Sequence, residues 1–311
     1  MTTSATRIEP FVHPALFYRS DQEYVEGTVP FLLDGMAAAE PVAVAAPVSR
    51  LDLIRTELGT AAAGVHFVDM TQAGRNPGRI ISSVLRKFAD AWTGRRVRII
   101  GEPIWPGRTE VEYPACVQHE ALINMAFQGR EVTILCPYDA RALSADVIAD
   151  AHATHPVLID GGRERASTAY ALEPVLARCN EPLRHPPGAA TVHFDTDDLP
   201  TSRDFALHEA RERGMNRARL QDLALVVAEL TTNSVMHGGG SGTLRIWAES
   251  EQIVCEVQDD GHLADPLAGR HPVRPEQLGG RGLFLVHFLS DLVRVHTGEN
   301  GTTVRSYVAR K

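Results

Sequence analysis

Glu229-Leu-Thr-Thr-Asn233-Ser-Val-Met-His237 is the stretch that decides how the second half of this chain reads. Glu229, Asn233 and His237 stand four residues apart, so on a helix their side chains form one polar stripe. Leu225, Val226, Val227 and Leu230 give the same segment, Ala218 to Met236, its apolar remainder. Such a stripe can serve a ligand, because a glutamate can orient or deprotonate a nucleophile and an asparagine can hold a hydrated Mg²⁺. Its plainer alternative is a solvated helix face.

Three further signals follow in order. The alternating strand Ile253-Val-Cys-Glu-Val-Gln ends in Asp259-Asp-Gly261, a carboxylate at a turn that glycine permits. Gly279-Gly-Arg-Gly282-Leu then opens a helix, where backbone N–H groups can cradle phosphate and Arg281 adds positive charge. Gly301-Thr-Thr-Val leads into the last strand, and the Thr302 hydroxyl can complete a polar network with the carboxylate. Each signal alone has an ordinary reading as turn, loop or strand; their order and spacing together are far more specific.

On these residues the segment 191–311 resembles the GHKL ATP-binding superfamily, most closely its bacterial anti-sigma factor/serine kinase branch. Glu229 to His237 is similar to the N box, in which the asparagine binds Mg²⁺ and the glutamate is the candidate base. Asp259-Asp-Gly261 is similar to the G1 box, whose aspartate receives the adenine amino group. Gly280-Arg281-Gly282 is similar to the G2 box, and Thr302 to the threonine near adenine. The resemblance implies ATP and Mg²⁺ as cofactors. It makes Glu229 catalytic and Asn233 the Mg²⁺ ligand, with His237, Asp259, Gly261, Gly280, Arg281, Gly282 and Thr302 also binding nucleotide. It implies an α/β sandwich whose mixed sheet carries helices on one face. After Gly261 the chain reads His-Leu-Ala-Asp-Pro, without the second glycine of the D-x-G-x-G pattern, which favours ATP binding over phosphoryl transfer. The helical hairpin through which sensor histidine kinases dimerise is missing. His208-Glu209 looks like a phosphoacceptor box but falls on what should be this domain's first helix.

Upstream, short apolar runs at Val42-Ala-Val-Ala-Ala, Gly64-Val-His-Phe-Val, Val97-Arg-Ile-Ile and Val132-Thr-Ile-Leu-Cys read as buried parallel strands. Helical spacing fills Glu23 to Met36, Arg50 to Leu58, Arg79 to Thr93 and Tyr113 to Gln128, and Pro30 is expected to kink or split the first of these. This order predicts a doubly wound α/β domain over 9–160, followed by a linker, 161–190, rich in Arg, Glu, Pro and Gly, with one short helical piece around Tyr170 to Arg178. Ala46-Pro-Val-Ser-Arg-Leu-Asp after the first predicted strand carries no P-loop, which argues against nucleotide hydrolysis in this half. The polar segments around His13, Gly101-Glu-Pro-Ile-Trp105, His119-Glu120, Cys136-Pro-Tyr-Asp139 and His155-Pro156 resemble the MEDS sensory domain, implying a RecA-like fold without a working Walker motif. An unidentified small-molecule signal is its expected ligand, with His13, Tyr18, Cys136, Tyr138 and His155 as the sensory pocket. His13, Cys136 and His155 are also of the types that could hold a metal.

A length of 311 residues allows two domains, and 44% hydrophobic against 23% charged residues describes a globular chain rather than a disordered one. A net charge of -8 repels the phosphate backbone, so direct nucleic-acid binding is not expected. Cys116, Cys136, Cys179 and Cys255 form no C-x-x-C pair and suit reduced thiols. With neither an apolar leader nor a spanning run, the chain is read as a complete cytoplasmic protein without a membrane partner. The expected function is a signalling regulator whose ATP-binding domain sequesters a sigma factor or phosphorylates a serine on a STAS-type antagonist. A non-catalytic ATP-dependent binding module and, behind it, a histidine kinase are the alternatives. A homodimer stays open.

Overall fold

The computed structural model describes residues 10–272 and 280–311. Residue 9, the expected start of the first domain, and Gly279 of the glycine run lie outside the described residues. The chain divides into two units, residues 1–74 with 83–175 and residues 75–82 with 176–311.

The first unit is built on strands β1 (Phe11–Val12), β2 (Pro14–Tyr18), β3 (Val42–Ala46), β4 (Val65–Asp69), β5 (Val97–Gly101), β6 (Val132–Asp139), β7 (Val157–Asp160) and β8 (Arg163–Ala166). They form one sheet in the order β4-β3-β5-β6-β2-β7-β8, with β1 pairing the start of β6. All pairings are parallel except β7 with β8. Residues of β2 and β3 are buried throughout, as strands covered on both faces must be. Its helices are α1 (Asp21–Ala37), α2 (Val48–Leu58), α3 (Met70–Ala73), α4 (Lys87–Asp90), α5 (Tyr113–Ala126) and α6 (Ala145–Thr154). The Ser20 hydroxyl caps α1 by accepting the Glu23 N–H at 3.1 Å.

Three expectations need correction here. Helix α1 runs through Pro30 as one element, so the proline does not split it. Pro30 is exposed, so a carbonyl deprived of its N–H partner there is open to water. The helix expected over Arg79 to Thr93 is instead a 3₁₀ turn at Pro77–Arg79, a π-helical stretch at Ile81–Arg86 and then α4. Its apolar spacing still buries Ile80, Ile81, Val84, Leu85 and Ala89. The stretch read as a linker holds a strand, β8, that was not expected, while α7 (Leu172–Cys179) answers to the short helical piece expected around Tyr170 to Arg178. All four residues of β8 are exposed, which is why no apolar signal announced it.

The second unit carries α8 (Leu199–Glu212), α9 (Arg217–His237) and α10 (Gly282–Leu289) on strands β9 (Ala190–Asp195), β10 (Ser241–Glu249), β11 (Gln252–Asp259), β12 (Leu292–Gly298) and β13 (Gly301–Ala309). The sheet order is β12-β13-β11-β10-β9, and each pairing is antiparallel, so the expectation of a mixed sheet is corrected. Ile253, Cys255 and Val257 share one face of β11 and pack with Leu223, Val226, Val227 and Leu230 of α9, Ala206 and Ala210 of α8 and Val286 of α10. Fully burying each Leu or Val contributes about 1.5 to 3 kcal/mol, so α9 is anchored rigidly along its apolar face while its polar stripe faces elsewhere. On the opposite sheet face Glu256 receives Arg305 at 2.6 Å, and the Arg305 guanidinium lies over the Trp247 ring at 5.0 Å.

Candidate functional site

Packing of α9 against β11 brings the end of the polar stripe to the end of the strand. The Ser234 hydroxyl donates to Asp259 Oδ2 at 2.5 Å and the Gly261 N–H donates to Asp259 Oδ1 at 2.9 Å, so the carboxylate is held from both sides. Gly238 must be bare, because a Cβ there would lie 2.3 Å from Asp259 Cγ. Thr302 does not reach the carboxylate directly. Its hydroxyl donates to the Gly261 carbonyl at 2.8 Å and pairs with the Thr297 hydroxyl at 2.9 Å, fixing the turn that presents Asp259.

Around this carboxylate lies a cavity of about 540 Å³. Asn233, His237, Asp259, Gly261, Gly280, Gly282 and Thr302, all singled out from sequence, line it together. Leu230, Val257, Leu283 and Val304 give it apolar walls suited to a flat ring. Glu229 and Arg281 are not among the lining residues, and Arg281 is exposed at the N-cap of α10. Glu229 stands behind Gly282: a Cβ on Gly282 would lie 2.8 Å from Glu229 Oε2 and 3.0 Å from Asn233 Nδ2. The start of α10 therefore presents bare backbone beneath a carboxylate and an amide, a cradle that any side chain at 282 would fill. Those features fit a nucleotide with a hydrated cation. Sequence reasoning missed Ser234, Gly238 and the apolar walls. Ser234 was findable as the polar residue next to Asn233 that turns toward the sheet; the walls needed the strand register.

In the first unit His13, Cys136 and His155 come together in the core, joined by Glu120. Tyr138 stacks edge-on to His155 at 5.5 Å. Tyr18 is not part of this group. It lines a separate cleft of about 470 Å³ with Asp21, Arg50 and Asp139, and its hydroxyl donates to Glu102 at 3.2 Å. The single pocket expected from the sequence is thus two places, and the histidine cluster is closed rather than open, with His13 and His155 both fully buried.

Glu102 is 2% exposed, and burial pushes its carboxyl up to about 8 despite Arg50 and the Tyr18 and Tyr24 hydroxyls, while Asp139 adds to the rise. A folded value above the unfolded one gives stability that is complete below about pH 4.5 and lost as pH rises through about 8. Glu102→Gln is expected to remove a pH-dependent loss on the order of a few kcal/mol across that window. Urea midpoints at pH 5 and pH 8 check this; equal slopes in wild type and variant would show that Glu102 does not carry it.

Residues 12–156 match the MEDS family, the methanogen/methylotroph, DcmR sensory domain, and residues 192–307 match the histidine kinase-like ATPase domain. The chain therefore joins a MEDS domain to a histidine kinase-like ATPase domain. No curated protein matches it in sequence. Among solved structures it is similar to the Acinetobacter baumannii histidine kinase AdeS, with 11% identity and a TM-score of 0.24 over 65% of this chain and 98% of that one. Among the described residues, no helix is long and apolar enough to cross a membrane.

Proposed function

We propose that this pairing of a MEDS domain with a histidine kinase-like ATPase domain is a signalling regulator that binds ATP with Mg²⁺ and transfers phosphate to a serine or threonine of a STAS-type antagonist, or holds a sigma factor in its place. The observation that carries the reading is the convergence of Glu229 and Asn233 over the bare backbone of Gly282, beside the fixed carboxylate of Asp259. Asp259 would accept the adenine amino group between the apolar walls, Asn233 would hold Mg²⁺ through its amide oxygen, and the first N–H groups of α10 would bind phosphate. When bound, ATP supplies the phosphoryl group and Mg²⁺ offsets its charge. Glu229 would take the hydroxyl proton of the acceptor. A hydroxyl acceptor is favoured over a histidine for one local reason: α7, of eight residues, is the single helix between β8 and β9, where a two-helix dimerising hairpin would stand. His208 lies on α8, within the ATPase domain itself.

Incubation of the full chain with radiolabelled ATP and a copurifying antagonist tests the reading. Acid-stable label on the antagonist supports it. Acid-labile label would favour phosphohistidine, and sigma-factor binding without any label would leave an ATP-dependent binding module. Asn233→Ala is expected to abolish the Mg²⁺ dependence of nucleotide binding, since Mg²⁺ keeps most of its waters and takes few protein ligands. Calorimetric titration with and without Mg²⁺ reads this directly, and a variant with the wild-type Mg²⁺ response would remove Asn233 from the site.

A further inference from the structure

The first unit buries four ligand-type side chains in one place. His13 immediately precedes β2 and His155 lies two residues before β7, while Cys136 is on β6. The registers Ala15 to Cys136 and Pro14 to Val157 bring these three together at one end of the central strands. Glu120 comes down from α5 between them. His13, Glu120 and His155 are at most 1% exposed, as is Cys136, and one ligand atom from each lies within 4.8 Å of the others.

Second partners fix the ring orientations. Asn124 donates its amide N–H groups to the carbonyls of Glu120, Ala121 and Thr154, so its Oδ1 must face His13 Nδ1 at 3.2 Å and accept from it. His155 Nδ1 lies 2.9 Å from the Ala151 carbonyl, which can only accept. Both imidazoles thus spend their Nδ1–H outward and turn Nε2 lone pairs inward, toward a carboxylate that is itself an acceptor. Neither Glu120 oxygen nor His155 Nε2 has a hydrogen-bond partner. A buried set of facing acceptors is costly unless something positive sits among them.

A protonated imidazole is the simplest positive group, but a charge-assisted N–H···O bond closes to about 2.7 to 2.9 Å. Here His13 Nε2 and His155 Nε2 each stand 3.3 Å from Glu120 Oε2, and Cys136 Sγ stands 3.4 Å from His13 Nε2. Tetrahedral coordination at metal–ligand lengths near 2.0 to 2.3 Å puts ligand atoms about 3.3 to 3.8 Å apart, and these three separations fall in that range, with all four ligand atoms within 4.8 Å of one another. Charge agrees: two neutral imidazoles, one carboxylate and one thiolate balance a divalent ion.

We propose that His13, Glu120, Cys136 and His155 form a closed, four-ligand site for one divalent transition metal, with zinc as its natural occupant. The mixed nitrogen, oxygen and sulfur donors suit a borderline-soft ion and exclude Mg²⁺ and Ca²⁺, which take oxygen ligands. On binding, the Cys136 thiol gives up its proton to solvent and sulfur bonds the metal. Asn124 is a positioning residue that holds the His13 ring through Nδ1. All four residues lie in the first unit, and none of them lines the cavity around Asp259.

The test uses the full chain, stripped with a chelator and titrated with Co²⁺ and, in competition, Zn²⁺. One Co²⁺ per chain is expected, with the intense visible bands of tetrahedral geometry and a near-ultraviolet thiolate charge-transfer band, all displaced by Zn²⁺. Cys136→Ser should remove the thiolate band, and Asn124→Leu, with every ligand intact, should weaken binding about 10- to 100-fold. His13→Ala with His155→Ala should abolish stoichiometric binding. Wild-type protein that shows no tetrahedral Co²⁺ spectrum overturns the proposal, as does a thiolate band that survives Cys136→Ser. Should the double histidine variant fail to fold, the wild-type spectrum and Asn124→Leu still decide.

Discussion

Glu229→Gln is expected to retain ATP binding and to slow phosphoryl transfer about 10² to 10⁴-fold. The amide keeps the size and the hydrogen-bonding reach of the carboxylate beside Gly282, so the cradle at the start of α10 keeps its shape. What is lost is the ability to accept a proton from the attacking hydroxyl, while positioning and charge stabilisation, which dominate phosphoryl transfer, persist. Single-turnover transfer to the antagonist, measured alongside ATP affinity, separates the two. Transfer at the wild-type rate would exclude Glu229 as the base.

Asp259→Asn should weaken ATP binding roughly ten- to 150-fold, corresponding to the loss of a charged hydrogen bond of about 1.5 to 3 kcal/mol. The direction follows from the two bonds that hold the side chain. The Gly261 N–H at 2.9 Å requires an acceptor at Oδ1, so in the variant the new NH₂ must take the Oδ2 position beside Ser234. There it offers a donor where the carboxylate offered an acceptor, and an adenine amino group then meets a like partner. Calorimetry on the full chain measures the change, and unchanged affinity would take Asp259 out of the adenine site.

That the residues of the proposed nucleotide site would meet around one cavity was legible in the sequence because its parts are local. Helix spacing alone puts Glu229, Asn233 and His237 on one face, and the glycine turns announce where the backbone must come close. Thr302 was recognised in position but not in action, since its bond to the Gly261 carbonyl depends on the pairing of β11 with β13. In the first unit the central strand β2 was hidden: Pro14-Ala-Leu-Phe-Tyr18 is five residues long, begins with proline and is followed at once by charged residues. Without β2 the closeness of His13 to Cys136 and His155 could not be derived from strand pairing, because His13 stands more than a hundred residues from either of them along the chain. Glu120 had a usable signal. Helix α5 is apolar nearly all round, at Ala115, Cys116, Val117, Ala121, Leu122 and Ile123, so a carboxylate within it is a buried charge that calls for a partner.

Strand β8 carries a consequence for the protein's behaviour at high concentration. The parallel strands of the first sheet are apolar, and an open rim of such strands would template further strands from other molecules. Arg163-Glu-Arg-Ala166 closes that rim running the opposite way, with charge on both of its faces and all four residues in water. A strand adding to it would have to bury those charges. The stretch that looked like a passive connection thus guards one side of the sheet against edge-to-edge aggregation.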